Sequence, residues 1–147
     1  MSRQEIVLAA GATLPAVRLL AAASRAVFEA WRLPEARTSL LELALVEAAT
    51  NVVRHAYRDQ PPGRLEIHLA REGRTFCVAV VDHGLSFDPA EVPPPPEPDP
   101  NDPSTWPDRG GMGLPLIRSA CEKLTYESDG GRNRLTLTFS IDEEDGP

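Results

Sequence analysis

The stretch LLELALVEAATNVVRHAY, residues 40–57, has an apolar background interrupted by polar residues at helical spacing. Glu47, Asn51 and His55 recur every four residues, so a helix of about 3.6 residues per turn places them on one face. The opposite face is apolar. The stretch therefore predicts a buried helix, from about residue 35 to 57, with one polar stripe.

Two further motifs follow this stretch. V-V-D-H-G at 80–84 ends a strand-like run, and G-G-M-G-L at 110–114 opens a helix-like one. Singly, the polar stripe is more typical of a solvated helix face and the glycine cluster of a flexible turn, whereas the aspartate of V-V-D-H-G is as typical of a turn as of a site. In this order they resemble the GHKL, or Bergerat, ATP-binding superfamily, and within it the RsbW-like anti-sigma-factor serine/threonine kinases. The resemblance runs from about residue 3 to 141.

The hydrophobic pattern gives an order of elements along the chain. The predicted elements are a strand at 4–10, a helix from Pro15 to Trp31, the central helix, strands at 64–70 and 75–82, a helix at 112–123, and strands at 124–128 and 134–141. This order predicts an α/β fold, a two-layer sandwich with three helices on one face of a mixed, mostly antiparallel sheet. The first strand is expected at an edge and the strand at 75–82 in the centre. The resemblance implies the same fold.

Length and composition set the class of protein. A chain of 147 residues suits a single domain, 1–147, with an acidic tail at 142–147. The sequence has neither a membrane-spanning run nor a secretory signal, which predicts a cytoplasmic protein. The net charge of −7 favours a protein partner over nucleic acid. Cys77 and Cys121 lack metal-ligand spacing, so we expect two buried thiols and no zinc site.

The central helix carries the predicted chemistry. By resemblance, Asn51 holds Mg²⁺ and Glu47 is the general base, and oxygen ligands of this kind suit Mg²⁺. A carboxylate one turn from the metal ligand could deprotonate a hydroxyl that attacks the terminal phosphoryl group. Arg54 and His55 are candidates for phosphate and ribose-side contacts.

Adenine recognition is assigned to Asp82 and the turn that follows it. Asp82 lies where a strand ends and Gly84 releases the backbone, so the carboxylate could accept a hydrogen bond from an amino group. By resemblance, that group is the exocyclic amine of adenine. Where the superfamily often has a threonine that joins this aspartate, the chain has Asn133, with Thr136 and Thr138 as alternatives.

The glycine-rich motif is the predicted phosphate cradle. Glycines let backbone N–H groups approach a phosphate closely, and a helix N-terminus favours negative charge. The residues assigned to nucleotide binding here are Arg109, Gly110, Gly111, Met112, Gly113 and Leu114.

Residues 85–109 form the predicted ATP lid. Nine of the 15 prolines lie between 89 and 107, which predicts an extended segment. The lid has acidic side chains and no Lys or Arg between Asp88 and Asp108, so we do not expect its middle to touch a triphosphate. Trp106 is a lid anchor, a partner contact or a simple packing residue.

These features predict an ATP-dependent protein-serine kinase that is also an anti-sigma factor. Its partners by resemblance are a sigma factor and an anti-sigma-antagonist protein, which it phosphorylates, and a homodimer is a further expectation. The alternative is a nucleotide-gated binding module with little or no phosphoryl transfer. We do not expect a histidine kinase, because the roughly 35 residues before the central helix are too few for a phosphoacceptor hairpin and a first strand.

Overall fold

The elements follow one another in the predicted order, with differences at their ends. The computed structural model describes residues 2–58, 61, 63–86, 99–102 and 113–142. Its elements, in chain order, are β1 (Gln4–Gly11), α1 (Leu14–Ala30), α2 (Glu35–Asn51), a π-helical turn (Val52–Ala56), β2 (Arg64–Glu72), β3 (Thr75–Asp82), α3 (Gly113–Ser119), β4 (Lys123–Asp129) and β5 (Arg132–Ser140). No described helix is both long and apolar enough to cross a bilayer.

Five strands form one sheet in the order β1-β2-β3-β5-β4. β1 is at an edge and β3 in the centre, as predicted. All four strand pairs are antiparallel, so the prediction of a mixed sheet is wrong. β3 and β4 run parallel to each other, since each is antiparallel to β5. Because β5 lies between them, they do not pair.

The core lies between the helices and one face of the sheet. Side chains alternate along each strand, so Ile67 of β2 and Val80 of β3, which are opposite each other, both point into this core. The two largest fully buried side chains are Phe28 of α1 and Phe139 of β5. The helices therefore stabilise the sheet mainly through burial of apolar surface.

The other face of β3 explains its continuous apolar run. Ala79 and Val81 point away from the core cluster yet are fully buried. Ala79 lies between His68 and Thr136, and Val81 lies between residues 66 and 134 of the neighbouring strands. Long polar side chains on β2 and β5 thus shield β3 on the face opposite the core.

An ion-pair cluster joins α1 to α2. The Arg25 guanidinium of α1 contacts Glu29 on its own helix and the carboxylates of Glu35 and Glu42 on α2. These side chains are partly exposed, and such pairs are each worth about 1 kcal/mol or less. The cluster therefore adds little to the free energy of unfolding. Its main effect is on the relative orientation of α1 and α2.

Two helices are shorter than predicted. α2 ends at Asn51 and continues as the π-helical turn, although a helix was expected to about Tyr57. α3 ends at Ser119 and not at Lys123, because Lys123 already pairs with Thr138 as the first residue of β4. Cys121 consequently lies between α3 and β4, outside a helix. It and Cys77 are free thiols, each partly buried.

Candidate functional site

A small cavity lies between the end of α2 and the central strands. Asn51 and Asp82 both line it, as the sequence predicts for a nucleotide site. Its other lining residues are Ala48, Val52, Ala56, Val80, Tyr126 and Leu135. Two polar side chains therefore face a space with mostly apolar walls.

The Asp82 carboxylate is held by one of its two oxygens. Asp82 is the last residue of β3 and is 5% exposed. Its Oδ1 accepts hydrogen bonds from the Gly84 backbone N–H at 2.9 Å and from Asn133 Nδ2 at 2.8 Å. Oδ2 accepts no hydrogen bond from the described chain, and it is not among the fully buried atoms of that part of the chain. It remains as an acceptor for a ligand.

Asn133 acts on this aspartate. Its Nδ2 also donates to the carbonyls of Gly84 at 2.9 Å and Leu85 at 3.3 Å, and its Oδ1 accepts from Ser128 Oγ at 2.7 Å. An amide has two N–H donors, so both are committed to Asp82 and the turn after it. In this arrangement Asn133 influences a ligand through Asp82.

The two threonine alternatives are on the wrong face of the sheet. Asn133 is opposite Asp82 on the core face, whereas Thr136 is opposite Ala79 and Thr138 is opposite Cys77. Because side chains alternate along a strand, these threonines point away from Asp82. They cannot replace Asn133 beside the carboxylate.

The turn after Asp82 packs directly against the π-helical turn. Leu85 N–H donates to the Ala56 carbonyl at 2.6 Å, and a Cβ on Gly84 would lie 2.3 Å from that same oxygen. Glycine is therefore required at position 84 by close backbone approach. The contact joins the turn that holds Asp82 to the helix that carries Asn51.

Tyr57 makes a second connection between these parts. Its hydroxyl accepts from the His83 backbone N–H at 2.9 Å and donates to the Arg64 carbonyl at 2.7 Å. Desolvation by burial raises the pKa of this hydroxyl, so it stays protonated and keeps donating at neutral pH.

Neither Tyr57 nor Ser128 was predicted as a site residue. For Ser128 a signal existed, since the tight turn at Gly130 and Gly131 places it opposite Asn133.

The central helix presents Glu47 one turn before Asn51. Both side chains are partly buried, and neither makes a hydrogen bond or an ion pair within the described residues. Arg54 and His55 lie exposed in the π-helical turn. Bonding over five residues widens that turn, so Val52 and Ala56 line the cavity and His55 does not. The predicted stripe thus ends at Asn51.

The glycine-rich motif is only partly visible. Arg109, Gly110, Gly111 and Met112, with most of the predicted lid at 85–109, lie outside the described residues. Gly113 and Leu114 begin α3, so the expected helix does follow the motif. α3 packs against α2, which brings the start of this helix to the layer that carries Asn51.

The chemistry of the cavity fits an adenine nucleotide with Mg²⁺. Asp82 Oδ2 accepts no hydrogen bond within the described chain and is not among its fully buried atoms, so it is open to an amine donor, and the apolar walls suit a planar base. The Asn51 side chain offers an amide oxygen of the type that Mg²⁺ binds. The cavity has a volume of about 20 Å³, enough for about one water molecule. Its lining residues must therefore move apart before an adenine base can enter. A larger cavity lies elsewhere, but it lacks this carboxylate and amide.

Comparison with known proteins identifies the family. A family model described as the histidine kinase-like ATPase domain matches residues 10–139. The chain belongs to this family. Its fold also resembles a crystal structure of RsbU and RsbW domains from Mycobacterium tuberculosis, with a TM-score of 0.66 and 17% identity over 93% of this chain and 32% of that chain. At that identity the likeness concerns the fold alone.

Named relatives of this histidine kinase-like ATPase domain are protein kinases. Serine/threonine-protein kinase BtrW of Bordetella bronchiseptica is 33% identical over 98 residues, which are 67% of this chain and 67% of that protein. Serine-protein kinase RsbW of Bacillus velezensis is 32% identical over 62% of this chain and 58% of its own. RsbW of Oceanobacillus iheyensis is 29% identical over 71% and 66%, respectively. The matched region thus spans about three fifths to two thirds of these relatives.

Replacing Gly84 with alanine is expected to destabilise this ATPase domain. The new Cβ would lie 2.3 Å from the Ala56 carbonyl oxygen, so one of the two backbones must shift. We expect a loss of about 1–3 kcal/mol in the free energy of unfolding, measured by urea denaturation. Gly11→Ala is the matched control, because its Cβ meets nothing within 4 Å. Equal effects from the two substitutions would contradict the close-packing interpretation.

Replacing Asn133 with alanine should remove hydrogen bonds that hold Asp82 and should lower the free energy of unfolding. It removes the donor to Asp82 Oδ1 and to the carbonyls of Gly84 and Leu85. Leaving buried acceptors unpaired costs about 1–3 kcal/mol, so urea denaturation should show a loss in that range. Ser128→Ala, which removes only the partner of Asn133 Oδ1, should cost less. A larger loss from Ser128→Ala than from Asn133→Ala would show that the bonds donated by Asn133 Nδ2 are not the main source of this stability.

Proposed function

We propose that the protein is an ATP-dependent protein-serine kinase and anti-sigma regulatory factor. Its substrate would be a serine hydroxyl of an anti-sigma-antagonist protein, and phosphorylation would switch the kinase between that antagonist and a sigma factor. The observation that carries the proposal is the shared cavity of Asn51 and Asp82, with Glu47 one helical turn away. The kinase names of the three relatives support the serine-kinase part.

Asp82 and its supporting groups would select the base. Oδ2 is placed to accept a hydrogen bond from the exocyclic amine of adenine, while Gly84 N–H and Asn133 Nδ2 hold Oδ1. The two bonds on Oδ1 fix the carboxylate plane before a ligand arrives. The apolar walls, which include Ala48 and Leu135, would exclude water from the base.

Asn51 and Glu47 would act at the phosphate end. The Asn51 amide oxygen is the proposed protein ligand of Mg²⁺, which would neutralise charge on the phosphate oxygens when bound. A carboxylate oxygen of Glu47 would take the proton from the serine hydroxyl as the serine oxygen attacks the terminal phosphorus, and the bond to the bridging oxygen would break to release ADP. Arg54, His55 and the segment from Arg109 to Leu114 remain proposed contacts to the phosphates and ribose.

Incubation with labelled ATP tests this function. The protein, Mg²⁺ and γ-labelled ATP are combined with each candidate antagonist protein from the same genome. We expect label on a serine of one antagonist, and loss of its binding to the kinase once it is phosphorylated. Retention of all label on ATP with every candidate, at concentrations where the proteins bind each other, would overturn phosphoryl transfer.

A nucleotide-gated binding module is the second candidate. One observation favours it: no described residue hydrogen-bonds the Glu47 side chain, so nothing there fixes the carboxylate for proton transfer. In that case the protein would hold a partner only in one nucleotide state and transfer nothing. The proposal also includes a cytoplasmic location and a homodimer, both of which rest on the family resemblance.

A further inference from the structure

A cavity larger than the nucleotide pocket lies at the other end of the molecule. It is a groove of about 410 Å³ between the α1–α2 corner, the β2–β3 hairpin and the end of β5. Its lining residues are Ala30, Trp31, Arg32, Leu33, Arg71, Gly73, Arg74, Phe76, Ile141 and Asp142. Phe76 and Asp82 are six residues apart on β3, so the groove is about 20 Å from the nucleotide pocket. We call it the arginine groove.

The rim of the groove concentrates positive charge in an acidic protein. In the part of the chain that the structure describes, three arginines and one carboxylate, Asp142, line the groove, although the whole chain has a net charge of −7. Among the described residues, neither Arg32 nor Arg71 forms an ion pair, whereas Arg3, Arg25 and Arg64 are each paired with a glutamate. The guanidinium groups of Arg32 and Arg71, unpaired within the described chain, favour an anionic ligand in this groove.

Arg32 occupies a backbone position that normally holds glycine. It follows Trp31, the C-cap of α1, and has a φ of 60°, in the left-handed region. Leu33 N–H donates to the Phe28 carbonyl at 3.1 Å, which completes the usual helix-ending motif around such a residue. Glycine would adopt this conformation without strain, so arginine is present at a cost to the backbone. A ligand for its side chain would explain that choice.

The floor of the groove is aromatic, and it orients a second arginine. The Trp31 and Phe76 rings are 5.8 Å apart, and Phe76 stacks on Phe139 at 5.3 Å. Arg71 lies over the Phe76 ring at 5.6 Å, and its Nε donates to the Gly73 carbonyl at 3.3 Å. These contacts fix the guanidinium plane while leaving its terminal nitrogens for a ligand.

We propose that the arginine groove binds an acidic peptide segment of a partner protein, with an apolar residue among its carboxylates. The arginine forks match carboxylates in a bidentate geometry, and Trp31, Leu33 and Phe76 accept an apolar anchor. Nucleic acid fits less well, because the net charge of the chain repels a long polyanion and the basic surface is short. The groove does not overlap the nucleotide pocket, so this proposal stands whether or not phosphoryl transfer occurs.

Trp31 reports occupancy of the groove directly. The chain has two tryptophans, so Trp106→Phe leaves Trp31 as the only one. The probe is a nine-residue peptide of glutamates with a central leucine, and the control peptide has glutamine at each glutamate. We expect a saturable change in Trp31 fluorescence with the acidic peptide that weakens as salt is added. No saturable change, or an equal one with the glutamine peptide, would overturn the proposal.

Three substitutions in this background locate the binding. Arg71→Gln and Arg32→Gly should each weaken peptide binding about fivefold or more, since each removes a charge-assisted contact. Arg32→Gly should at the same time raise the urea midpoint, because it relieves the left-handed backbone. Binding and stability would then move in opposite directions, which general damage to the fold cannot produce. The matched control is Arg132→Gln, which removes the same charge from the exposed start of β5 near the nucleotide pocket. Equal weakening by the control would overturn the proposal.

Two further experiments distinguish a partner peptide from other ligands of the groove. If a single-stranded oligonucleotide displaces the peptide at a lower concentration than the peptide itself, the groove is a nucleic-acid site and the proposal is wrong. A chain that ends at Asp142 lacks the acidic residues Glu143, Glu144 and Asp145. Peptide binding only by this shortened chain would show that the chain fills its own groove, which also overturns a partner segment.

Discussion

Asp82→Asn is expected to weaken the binding of Mg²⁺–ATP by about 100-fold or more. Asparagine can keep its oxygen toward Gly84 N–H and Asn133 Nδ2, which leaves its own N–H₂ group facing the exocyclic amine of adenine. Two donors then face each other in a buried site. A lost charge-assisted hydrogen bond is worth about 1.5–3 kcal/mol and an unpaired buried donor costs about 1–3 kcal/mol, and each 1.4 kcal/mol is tenfold in affinity.

Titration calorimetry with a non-hydrolysable ATP analogue measures this loss of affinity. Titration with inosine triphosphate then tests whether Asp82 recognises the exocyclic amine. Inosine has a carbonyl oxygen where adenosine has the amine, so the wild type should prefer ATP and the Asp82→Asn variant should lose or reverse that preference. Asp129→Asn is the matched control, since it removes a carboxylate from the exposed end of β4. An unchanged preference for ATP in Asp82→Asn would discard the pocket assignment.

Much of this fold is readable from the sequence because its signals are local. The apolar run 76–81 predicts a central strand, and the structure places it at the centre of the sheet. Three short motifs in a fixed order predict the family, and the family model confirms it over residues 10–139. Asn51 and Asp82 were expected in one pocket, and they line the same cavity.

The errors share a physical cause, which is competition from contacts distant in the sequence. α3 stops early because Lys123 pairs with Thr138 of β5, an interaction that helical periodicity does not contain. The sheet is wholly antiparallel because β5 inserts between β3 and β4. The π-helical turn forms where Ala56 accepts a hydrogen bond from Leu85. None of these pairings can be read from spacing within one segment.

The arginine groove has no signal in the sequence at all. Arg32 lies between α1 and α2, Arg71 is near the end of β2 and Arg74 is in the β2–β3 turn, and no motif relates them. They meet because β2 and β3 return the chain to the end of the sheet where α1 ends. In contrast, the support of Asp82 by Ser128 and Asn133 could be predicted, since a hairpin with two glycines at its turn fixes the register of both strands.

Glu47→Gln is expected to leave nucleotide binding intact while phosphoryl transfer falls by about 10²–10⁴-fold. Glutamine keeps the size of the side chain and its place one turn before Asn51, but it cannot take a proton from a serine hydroxyl. Transfer is measured in single-turnover reactions with labelled ATP and the antagonist, and binding is measured by calorimetry. Glu42→Gln, the same substitution five residues earlier on α2 in the Arg25 cluster, should transfer at nearly the wild-type rate.

Asn51→Ala provides the contrast that gives the Glu47 result its meaning. Loss of the amide oxygen should weaken binding of the metal nucleotide as well as transfer, because Asn51 lines the pocket with Asp82. A kinase therefore predicts separable defects, in chemistry for Glu47→Gln and in binding for Asn51→Ala. If Glu47→Gln transfers as fast as the wild type, Glu47 is a surface carboxylate and the base is another group. If the wild type transfers nothing but binds a partner in only one nucleotide state, the protein is a nucleotide-gated binder. Glu47 is then not a catalytic base, which agrees with the lack of any hydrogen bond to its side chain among the described residues.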